Sequence, residues 1–410
     1  MPKVLLFSRR PLDRRPLHNW LGDAASDVVL VTPRKAVAGT GDLVTERFLG
    51  HRLVDDYESW ATDVVAEEAA RAFGVDLVAS TSEDDVLRAA RLRDRLGLPG
   101  QPGVSALAYR DKVVMKRLAR AAGLAVPEFA PVDDPLGLLD FVDAHGFPVV
   151  VKPRFGAGAE GFAALRSEKD VDAFLDPGRP RTVPFVAGQW MAESFAHGEF
   201  FHVDGIMRGH EVLHCWPSRY NTGVAEHLRD ASALSSVMLD AGDPLTARLT
   251  AFTSDVVAAL PASPMPGSFH LEAWVGDDGA PVLCEIASRA GGGPIAETYE
   301  RAFGVHLAKE GLRAQCGLEL SADTGLGAPA ETYGWISLPP GTGRFEPPAG
   351  PCPVPGVHLT VHLEVGAVGE GMRHAVDSAA HAVVTGASEA EVSNRLEELA
   401  RWWHAETTWG

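Results

Sequence analysis

Short apolar runs alternate with longer amphipathic segments in the first part of the chain. Residues 3–8, 27–32 and 76–80 have the length and apolar character of strands buried on both faces of a parallel sheet. Residues 63–73 have apolar positions at helical spacing and precede the last of these strands. The alternation predicts a doubly wound α/β domain, in which ligands bind beyond the carboxyl ends of the strands. No G-x-G-x-x-G follows the first strand, so we expect no dinucleotide site there.

The pattern changes further along the chain. A β-hairpin is predicted around residues 147–165, and segments between 189 and 215 alternate as antiparallel strands do. Strands 269–275 and 281–286 are joined by an Asp-Asp-Gly turn, which is a strong hairpin signal. We therefore predict a mixture of α/β and α+β structure in four segments. They are an N-terminal α/β domain (1–104), a small subdomain with the first hairpin (105–188), an antiparallel β subdomain (189–326) and a small C-terminal α+β piece (327–410).

Composition and charge exclude several classes of protein. The 410 residues carry 37 basic and 55 acidic side chains, and a net charge of −18 disfavours binding to nucleic acid or to an anionic membrane surface. No stretch approaches the roughly 18 apolar residues of a membrane span, and the first apolar run is too short for a signal peptide. The four cysteines form neither a C-x-x-C pair nor a zinc-finger spacing. We expect a cytoplasmic protein, whose pocket can still bind a small anion through a few local cations and N–H groups.

A lysine and a glycine-rich loop follow one predicted strand. Lys152 comes directly after three valines, and the next residues include Gly156, Gly158 and Gly161. A lysine at the end of a buried strand presents a fixed cation, and small loop residues allow backbone N–H groups to close over phosphates. The loop is not a Walker A motif, because no Gly-Lys-Ser/Thr follows it. The alternative is a β-hairpin with a flexible turn and a surface lysine.

Two glutamates and an arginine stand on and after the second predicted hairpin. Glu272 and Glu285 lie on its two strands, and we expect their carboxylates to be close enough to share divalent cations such as Mg²⁺. Glu285 stands in an apolar run, where an unpaired carboxylate would be costly. Arg289 precedes three glycines, 291–293, an arrangement that can stabilise a developing oxyanion. The alternatives are two exposed strand acids and a glycine-rich loop without a ligand.

The order of these features resembles the ATP-grasp superfamily, and most of all its carboxylate–amine ligases, which include the L-amino-acid ligases. The resemblance covers residues 82–317, more than half of the chain. Each motif alone is weak, but five of them in this order are a strong signal. The motifs are Arg110-Asp111-Lys112-x-x-Met115-Lys116, Ala122-Gly123-Leu124-x-x-Pro127, Val150-Val151-Lys152-Pro153 with its loop, Ala192-Glu193-Ser194-Phe195-x-x-Gly198-Glu199-Phe200, and Glu272 with Glu285-Ile286-Ala287-Ser288-Arg289.

The resemblance implies an ATP site with an ATP-grasp fold around it. The phosphates would be contacted by Lys112 and Lys152, under a lid formed by the small subdomain. The lid loop would contain Gly156, Gly158 and Gly161. The nucleoside would be contacted by Glu193 and the backbone of Ser194 and Phe195 at the adenine edge, and by Glu199 at the ribose hydroxyls.

The resemblance also implies the chemistry of the third segment, the catalytic subdomain. Glu272 and Glu285 would hold two Mg²⁺ ions, for which Mn²⁺ could substitute, while a substrate carboxylate takes the γ-phosphoryl group and an amine then displaces phosphate. Arg289 and the N–H groups near Gly292 would hold the tetrahedral intermediate. Many family members have Asn as a further metal ligand where this chain has Ala287, so one ion would have fewer protein ligands or bind more weakly. The sequence leaves the oligomeric state open, and a homodimer is one option, because homodimers are common among these ligases.

Four polar residues are candidates for contacts with the substrates. Arg219, in an irregular polar stretch, could pair with a substrate carboxylate through two hydrogen bonds. Glu83 follows a predicted strand and would touch a substrate or close the cleft. His270 is a candidate that we expect to share the face of Glu272 only through a strand bulge, and Ser288 lies in the last motif. Surface or structural roles are the alternatives for each.

We therefore expect an ATP-dependent ligase that joins a small carboxylate, such as an amino acid, to an amine and releases ADP and phosphate. One alternative is a carboxylase-type or purine-pathway enzyme that activates bicarbonate or formate, although the chain lacks the Met-Lys-Met of biotin attachment. The other is a nucleotide-binding regulator that has lost catalysis. The presence of Lys152, Glu272, Glu285 and Arg289 together disfavours the regulator, since a silent module need not keep all four.

Overall fold

A computed structural model describes residues 1–176, 178, 183–222, 227, 230–320, 326–372 and 377–410. Its N-terminal strands are β1 (Val4–Phe7), β2 (Val28–Pro33), β3 (Gly50–Val54) and β4 (Leu77–Ser80). They form a parallel sheet in the order β3-β2-β1-β4, which confirms the predicted α/β unit. Separate apolar clusters cover its two faces, as the continuous apolar runs require. The helices of this part are α1 (Leu17–Leu21), α2 (Gly41–Arg47), α3 (Ala61–Phe73) and α4 (Val86–Leu96).

A second, antiparallel sheet forms the small subdomain. Its strands are β5 (Phe129–Val132), β6 (Val149–Pro153), β7 (Ala163–Leu165) and β8 (Trp190–Ser194), in the order β5-β8-β6-β7. The helices of this region are α5 (Gly103–Ala108), α6 (Lys112–Ala121), α7 (Pro135–His145) and α8 (Glu168–Leu175). Asp111 caps α6 by accepting a hydrogen bond from the backbone N–H of Val113 (2.9 Å) and also pairs with Arg154 at the end of β6. The cap thereby connects the start of α6 to the loop after β6.

The largest sheet begins with long antiparallel strands. They are β9 (Glu199–Gly209), β10 (Glu211–Tyr220), β11 (Leu234–Met238), β12 (Ser263–Val275) and β13 (Pro281–Ala287). The helices that accompany them are α9 (Pro244–Ala259), α10 (Ile295–Phe303) and α11 (Leu307–Gln315). Strand β12 pairs with β9 on one side and β13 on the other, and α9 packs its apolar residues with those of β9 and β12 in one core. This sheet carries the predicted glutamate pair on adjacent strands.

The C-terminal part extends the same sheet. Its strands are β14 (Thr332–Leu338), β15 (Thr342–Glu346), β16 (Val357–Val361), β17 (Val368–Glu370), β18 (Ala380–Gly386) and β19 (Thr408–Trp409), and its helix is α12 (Glu389–Glu406). The large sheet has the order β13-β12-β9-β10-β11-β14-β18-β16, and β17-β15-β19 form a small separate sheet. The predicted boundary at residue 327 therefore separates strands that belong to one hydrogen-bonded sheet.

The pairing of strand β8 also disagrees with a predicted domain boundary. The predicted boundary at 188/189 assigns it to the catalytic subdomain, whereas Glu193 pairs with Phe129 of β5 and with Val150 of β6 in the small sheet. A boundary after β8 fits the pairing better, because it leaves the small sheet whole. As independently folding units the four segments stay a prediction. Among the described residues, no helix combines the length and the apolar character that crossing a membrane requires.

Candidate active site

The two predicted metal-binding glutamates are direct cross-strand neighbours. Glu272 on β12 and Glu285 on β13 occupy the same register position, so their side chains project from the same face of the sheet. The register shifts immediately after this pair, at a bulge that includes Cys284. The Glu272 carboxylate accepts a hydrogen bond from the Tyr220 hydroxyl (3.0 Å), and Glu285 pairs with the Lys112 ammonium (2.9 Å). The hairpin therefore brings two carboxylates together as the sequence predicts.

A buried group of charges connects this pair to the small sheet. The Lys152 ammonium lies 2.6 Å from a Glu193 carboxylate oxygen, and Lys116, which is fully buried, lies 3.3 Å from the other. Lys116 also donates to the backbone carbonyl oxygens of Leu283 and Cys284, at 3.0 and 2.8 Å, where the bulge interrupts the ladder. The Lys116 ammonium and the Glu193 Oε2 atom form an ion pair but not a hydrogen bond, and no other described residue donates to this oxygen.

Opposing effects set the protonation of this group. Burial alone would raise the pKa of Glu193, but the ammonium groups of Lys116 and Lys152 outweigh it and hold the pKa below its usual value. Burial lowers the pKa of Lys116, whereas Glu193 raises the pKa of Lys152 above its ordinary value in spite of burial. Burial would also raise the pKa of Glu285, yet Lys112 and Lys152 keep it well below the usual range. The glutamates are thus carboxylates beside cations.

Arg289, two residues after β13, connects this strand to the N-terminal domain through hydrogen bonds. Its guanidinium donates two hydrogen bonds to the Glu83 carboxylate, in the 3-10 turn (Glu83–Asp85) after β4, and a third to the carbonyl oxygen of Ala290 (2.8 Å). Arg110 also contacts the buried Glu83 carboxylate, at 3.2 Å. Glu83 therefore lies beside Arg289, as a residue that closes the cleft would, and its charge is shared between two arginines.

The glycine-rich loop contacts Lys112, one of the two lysines predicted to bind phosphate. The Lys112 ammonium donates to the carbonyl oxygen of Gly156 at 2.7 Å. Gly158 and Gly161 have positive φ angles of 61° and 72°, which side chains rarely adopt. A Cβ at Gly161 would also lie 2.8 Å from Cγ of Pro153. A side chain at this position would therefore clash with Pro153 in addition to straining the backbone.

A histidine–aspartate network lies next to Glu272 and was missed by the motif analysis. The Asp204 carboxylate on β9 bonds to His202 (2.5 Å) and to His270 (2.9 Å), and all three side chains are buried. His270 Nε2 lies 3.6 Å from Glu272 Oε1. The signal that could have revealed the network is a pair of polar residues two positions apart inside the apolar strand β9, which places both on one face. The set also has ligand types that bind metal ions.

The position of His270 corrects the expectation about a bulge and places its side chain opposite Ala287. We expected a bulge to bring His270 to the face of Glu272, but no bulge separates them, because residues two apart on a strand already share a face. His270 pairs across the hairpin with Ala287, the position where many family members have a metal-binding Asn. A buried imidazole thus stands opposite that small residue.

Other predicted site residues lie in different surroundings. Arg219 stacks over the Phe201 ring (5.0 Å) and pairs with Glu199 and Glu389, on the sheet face opposite to Tyr220 and its partner Glu272. The substrate role predicted for Arg219 therefore finds no support in its placement. Glu199 lies at the start of β9 in this ion pair, apart from Glu193.

The backbone N–H groups of the two residues predicted at the adenine edge already donate hydrogen bonds within the protein. The backbone N–H of Ser194 donates to the carbonyl oxygen of Glu128 (2.8 Å), and that of Phe195 donates to Pro148 (3.3 Å). Ligand contacts at these two residues would thus use groups other than these N–H donors. Ser288 donates from its hydroxyl to Gln101 (3.2 Å) and lines an open cleft beside Arg289.

The residues present fit the ligands that the fold family implies. Two carboxylates at one register position are hard oxygen ligands suited to Mg²⁺. Among the described residues, the buried Glu193 Oε2 atom has no hydrogen bond, and the Lys116 ammonium lies 3.3 Å from it; the other Glu193 oxygen pairs with Lys152, which is predicted to contact phosphate. Lys112 and Lys152 supply two cations whose charges both act on Glu285.

Comparisons with known proteins agree with this geometry. No protein-family model matches the chain. The L-amino acid ligase from Bacillus licheniformis superposes with a TM-score of 0.74 over 99% of this chain and 98% of that one, at 17% sequence identity. The chain has the ATP-grasp fold of this ligase. Its ATP-grasp fold is shared with carboxyaminoimidazole ribonucleotide synthase from Aspergillus clavatus, with a TM-score of 0.72 at 15% identity over 99% of each chain.

The chain is also similar in sequence to ligases. The L-arginine-specific L-amino acid ligase of Bacillus subtilis is 28% identical over 267 residues, which cover 64% of this chain and 63% of that protein. A D-alanine–D-alanine ligase of Synechococcus is 30% identical over 156 residues, 36% of this chain and 47% of that protein. Each match thus spans less than two thirds of the relative's length.

Proposed function

We propose that the chain is an ATP-dependent carboxylate–amine ligase that joins two small amino-acid-like substrates through an acylphosphate and releases ADP and phosphate. The observation that carries the proposal is the placement of Glu272 and Glu285 at one register position. Lys112 pairs with Glu285, the charge of Lys152 also acts on Glu285, and Arg289 follows two residues after the end of β13. The names of the sequence relatives, an L-amino acid ligase and a D-alanine–D-alanine ligase, support this choice.

The cations in the site suit this reaction. A carboxylate that attacks the γ-phosphate of ATP brings two anions together, so fixed positive charges must offset their repulsion. Lys112 and Lys152 would hold the phosphates, with the Gly156–Gly161 loop as a lid that keeps water from the acylphosphate. Arg289 and the backbone N–H groups near Gly292 would stabilise the oxyanion when the amine attacks.

The metal and nucleotide contacts are part of the same proposal. Mg²⁺ held by Glu272 and Glu285, as two ions for which Mn²⁺ can substitute, would supply Lewis-acid stabilisation of the phosphoryl oxygens. Lys112 keeps the Glu285 carboxylate ionised and oriented for such a cation. Glu193 and the segment after it would contact the adenine, and Glu199 would leave Arg219 to meet the ribose.

The cysteines bear on the setting of the protein in the cell. The four cysteines are free, and three of them are buried. Free thiols fit the reducing cytoplasm, where we place the protein. We also propose a homodimer, following the resemblance to the amino-acid ligases.

A screen of substrate pairs tests the proposed reaction. The purified protein would be incubated with ATP, Mg²⁺ and pairs drawn from the twenty amino acids, while ADP release and product mass are measured. We expect release of ADP and phosphate that requires both a carboxylate and an amine, with a product whose mass is the sum of the two minus water. Cleavage of ATP with bicarbonate alone would overturn the proposal and favour the carboxylase alternative, which shares the fold.

The glycine loop after Arg289 offers a test of positioning. A Cβ at Gly291 would lie 2.8 Å from an Asp204 oxygen and 2.9 Å from His270 Nδ1, so Gly291→Ala must shift the loop or the network. We expect ADP release coupled to product to fall about 10–100-fold, because small displacements of positioning groups cost that much. Gly242→Ala is the matched control, since its Cβ meets nothing within 4 Å. Equal rates for the two variants would contradict the role of the loop.

A further inference from the structure

An open cleft lies between the N-terminal domain and the end of β13. Ser288 and Arg289 line one side of this cleft. The opposite side is formed by residues that follow β4, including Thr81, and by Arg15 from the loop after β1. The cleft therefore lies beyond the carboxyl ends of adjacent parallel strands, where ligands bind in such folds.

The charge of this cleft is opposite to that of the chain. Among the described residues, its lining contains three arginines, Arg15, Arg93 and Arg289, and neither an aspartate nor a glutamate. The chain as a whole has 55 acidic residues and a net charge of −18. A lining with only positive charges in so acidic a protein selects for an anionic ligand.

Two of these arginines have no acidic partner among the residues that the structure describes. The Arg15 guanidinium donates one hydrogen bond, to the carbonyl oxygen of Thr81 (2.7 Å), and Arg93 donates to the carbonyl oxygens of Val78 (2.7 Å) and Gln101 (3.0 Å). Within the described part of the chain, no carboxylate lies within ion-pair distance of either one. Cations removed from water without a counter-charge are costly unless a ligand supplies it.

A further polar atom lies at the same place. The Thr81 hydroxyl oxygen is buried without a hydrogen-bond partner among the described residues, and Thr81 lines the cleft beside Arg15. Burial lowers the pKa of Arg15 to about 10, and the charges of Arg10 and Arg289 act in the same direction. An anion in the cleft would relieve the repulsion between Arg15 and Arg289.

We propose that Arg15, with the Thr81 hydroxyl beside it, binds the carboxylate of the amine-bearing substrate, so that the acceptor is an amino acid rather than a simple amine. The proposal rests on the proposed ligase function, because Arg289 would then face the reacting carbonyl while Arg15 holds the far end of the acceptor. Arg93 is buried in the lining of the cleft and would add positive potential there.

Direct binding measurements test this assignment without requiring turnover. The protein with MgADP would be titrated calorimetrically with each of the twenty amino acids and with the matching carboxamides, which lack the negative charge. We expect at least one amino acid to bind at least tenfold more tightly than its carboxamide, because hydrogen bonds to a charged group contribute this much. Binding of acids and amides with equal affinity, or of neither, would overturn the proposal.

Variants at Arg15 locate the effect. Arg15→Gln should weaken binding of the amino acid about 10–100-fold and leave its carboxamide unaffected, while Arg15→Lys should restore part of the affinity. Arg10→Gln removes the same charge from a nearby exposed arginine and should have little effect. Thermal unfolding of each variant confirms that it is folded. Equal losses for acid and amide, or equal effects of the two glutamine variants, would contradict the assignment. If amino acids bind through Arg15 but no pair releases ADP, the proposed reaction fails while this site stands.

Discussion

Replacing Glu285 by glutamine is expected to abolish ADP release and product formation, with a loss of about 10³-fold or more. The amide keeps the shape of the side chain but removes a charged oxygen ligand. A bound metal ion contributes several kcal/mol of transition-state stabilisation, and about 4 kcal/mol corresponds to this factor. Steady-state ADP release with the substrate pair found in the screen measures the effect.

The fold should survive the Glu285 substitution. Lys112 loses its carboxylate partner but keeps the hydrogen bond to the carbonyl oxygen of Gly156. Circular dichroism and thermal unfolding check this point, and Glu211→Gln, an exposed glutamate on β10, is the control for the loss of one strand charge. Near-normal turnover in a folded Glu285→Gln protein would show that the metal assignment is wrong.

Replacing Glu193 by glutamine is expected to have the largest effect on stability. The substitution leaves two buried ammonium groups, Lys116 and Lys152, without their shared carboxylate. Removing one partner of a buried ion pair costs about 3–5 kcal/mol in free energy of unfolding. Urea titration measures the loss. Glu199→Gln is the matched control, because the ion pair between Glu199 and Arg219 is partly exposed and should contribute no more than about 1 kcal/mol.

The same variant should change the acid limb of the stability profile. The pKa of Glu193 is lowered in the folded state, so its ionised form stabilises the protein fully above the unfolded pKa of about 4.3. That contribution is lost as the pH falls through the lower folded-state pKa. The unfolding free energy of the wild type should therefore decrease more steeply than that of Glu193→Gln below about pH 4. Parallel profiles would show that Glu193 is not a paired carboxylate.

Local patterns predicted a large part of the site. The turn signal between β12 and β13 placed Glu272 and Glu285 on paired strands, but it did not fix their register. Without the bulge at Cys284, the register next to the turn would put Glu272 opposite Cys284. The parallel sheet at the N-terminus followed from continuous apolar runs, which only a sheet buried on both faces explains. The glycine-rich loop and Lys152 also fell where the strand pattern put them.

Contacts between distant segments could not be predicted in the same way. Burial requires that Glu193 and Asp204 have partners, but it does not say that these are Lys116 in one case and two histidines in the other. The pairing of β11 with β14 joins segments far apart in the sequence, so no local pattern could predict it. The cleft between Arg15 and Arg289 likewise exists only when the two domains meet.

Isotope transfer tests the central claim, that a substrate carboxylate takes the γ-phosphoryl group before the amide forms. The carboxylate substrate would be labelled with ¹⁸O in both oxygens, and the released phosphate would be analysed by mass spectrometry during turnover with ATP. Formation and aminolysis of an acylphosphate should place one ¹⁸O atom in each phosphate released. Phosphate without label, or release of AMP and pyrophosphate in place of ADP, would contradict the account.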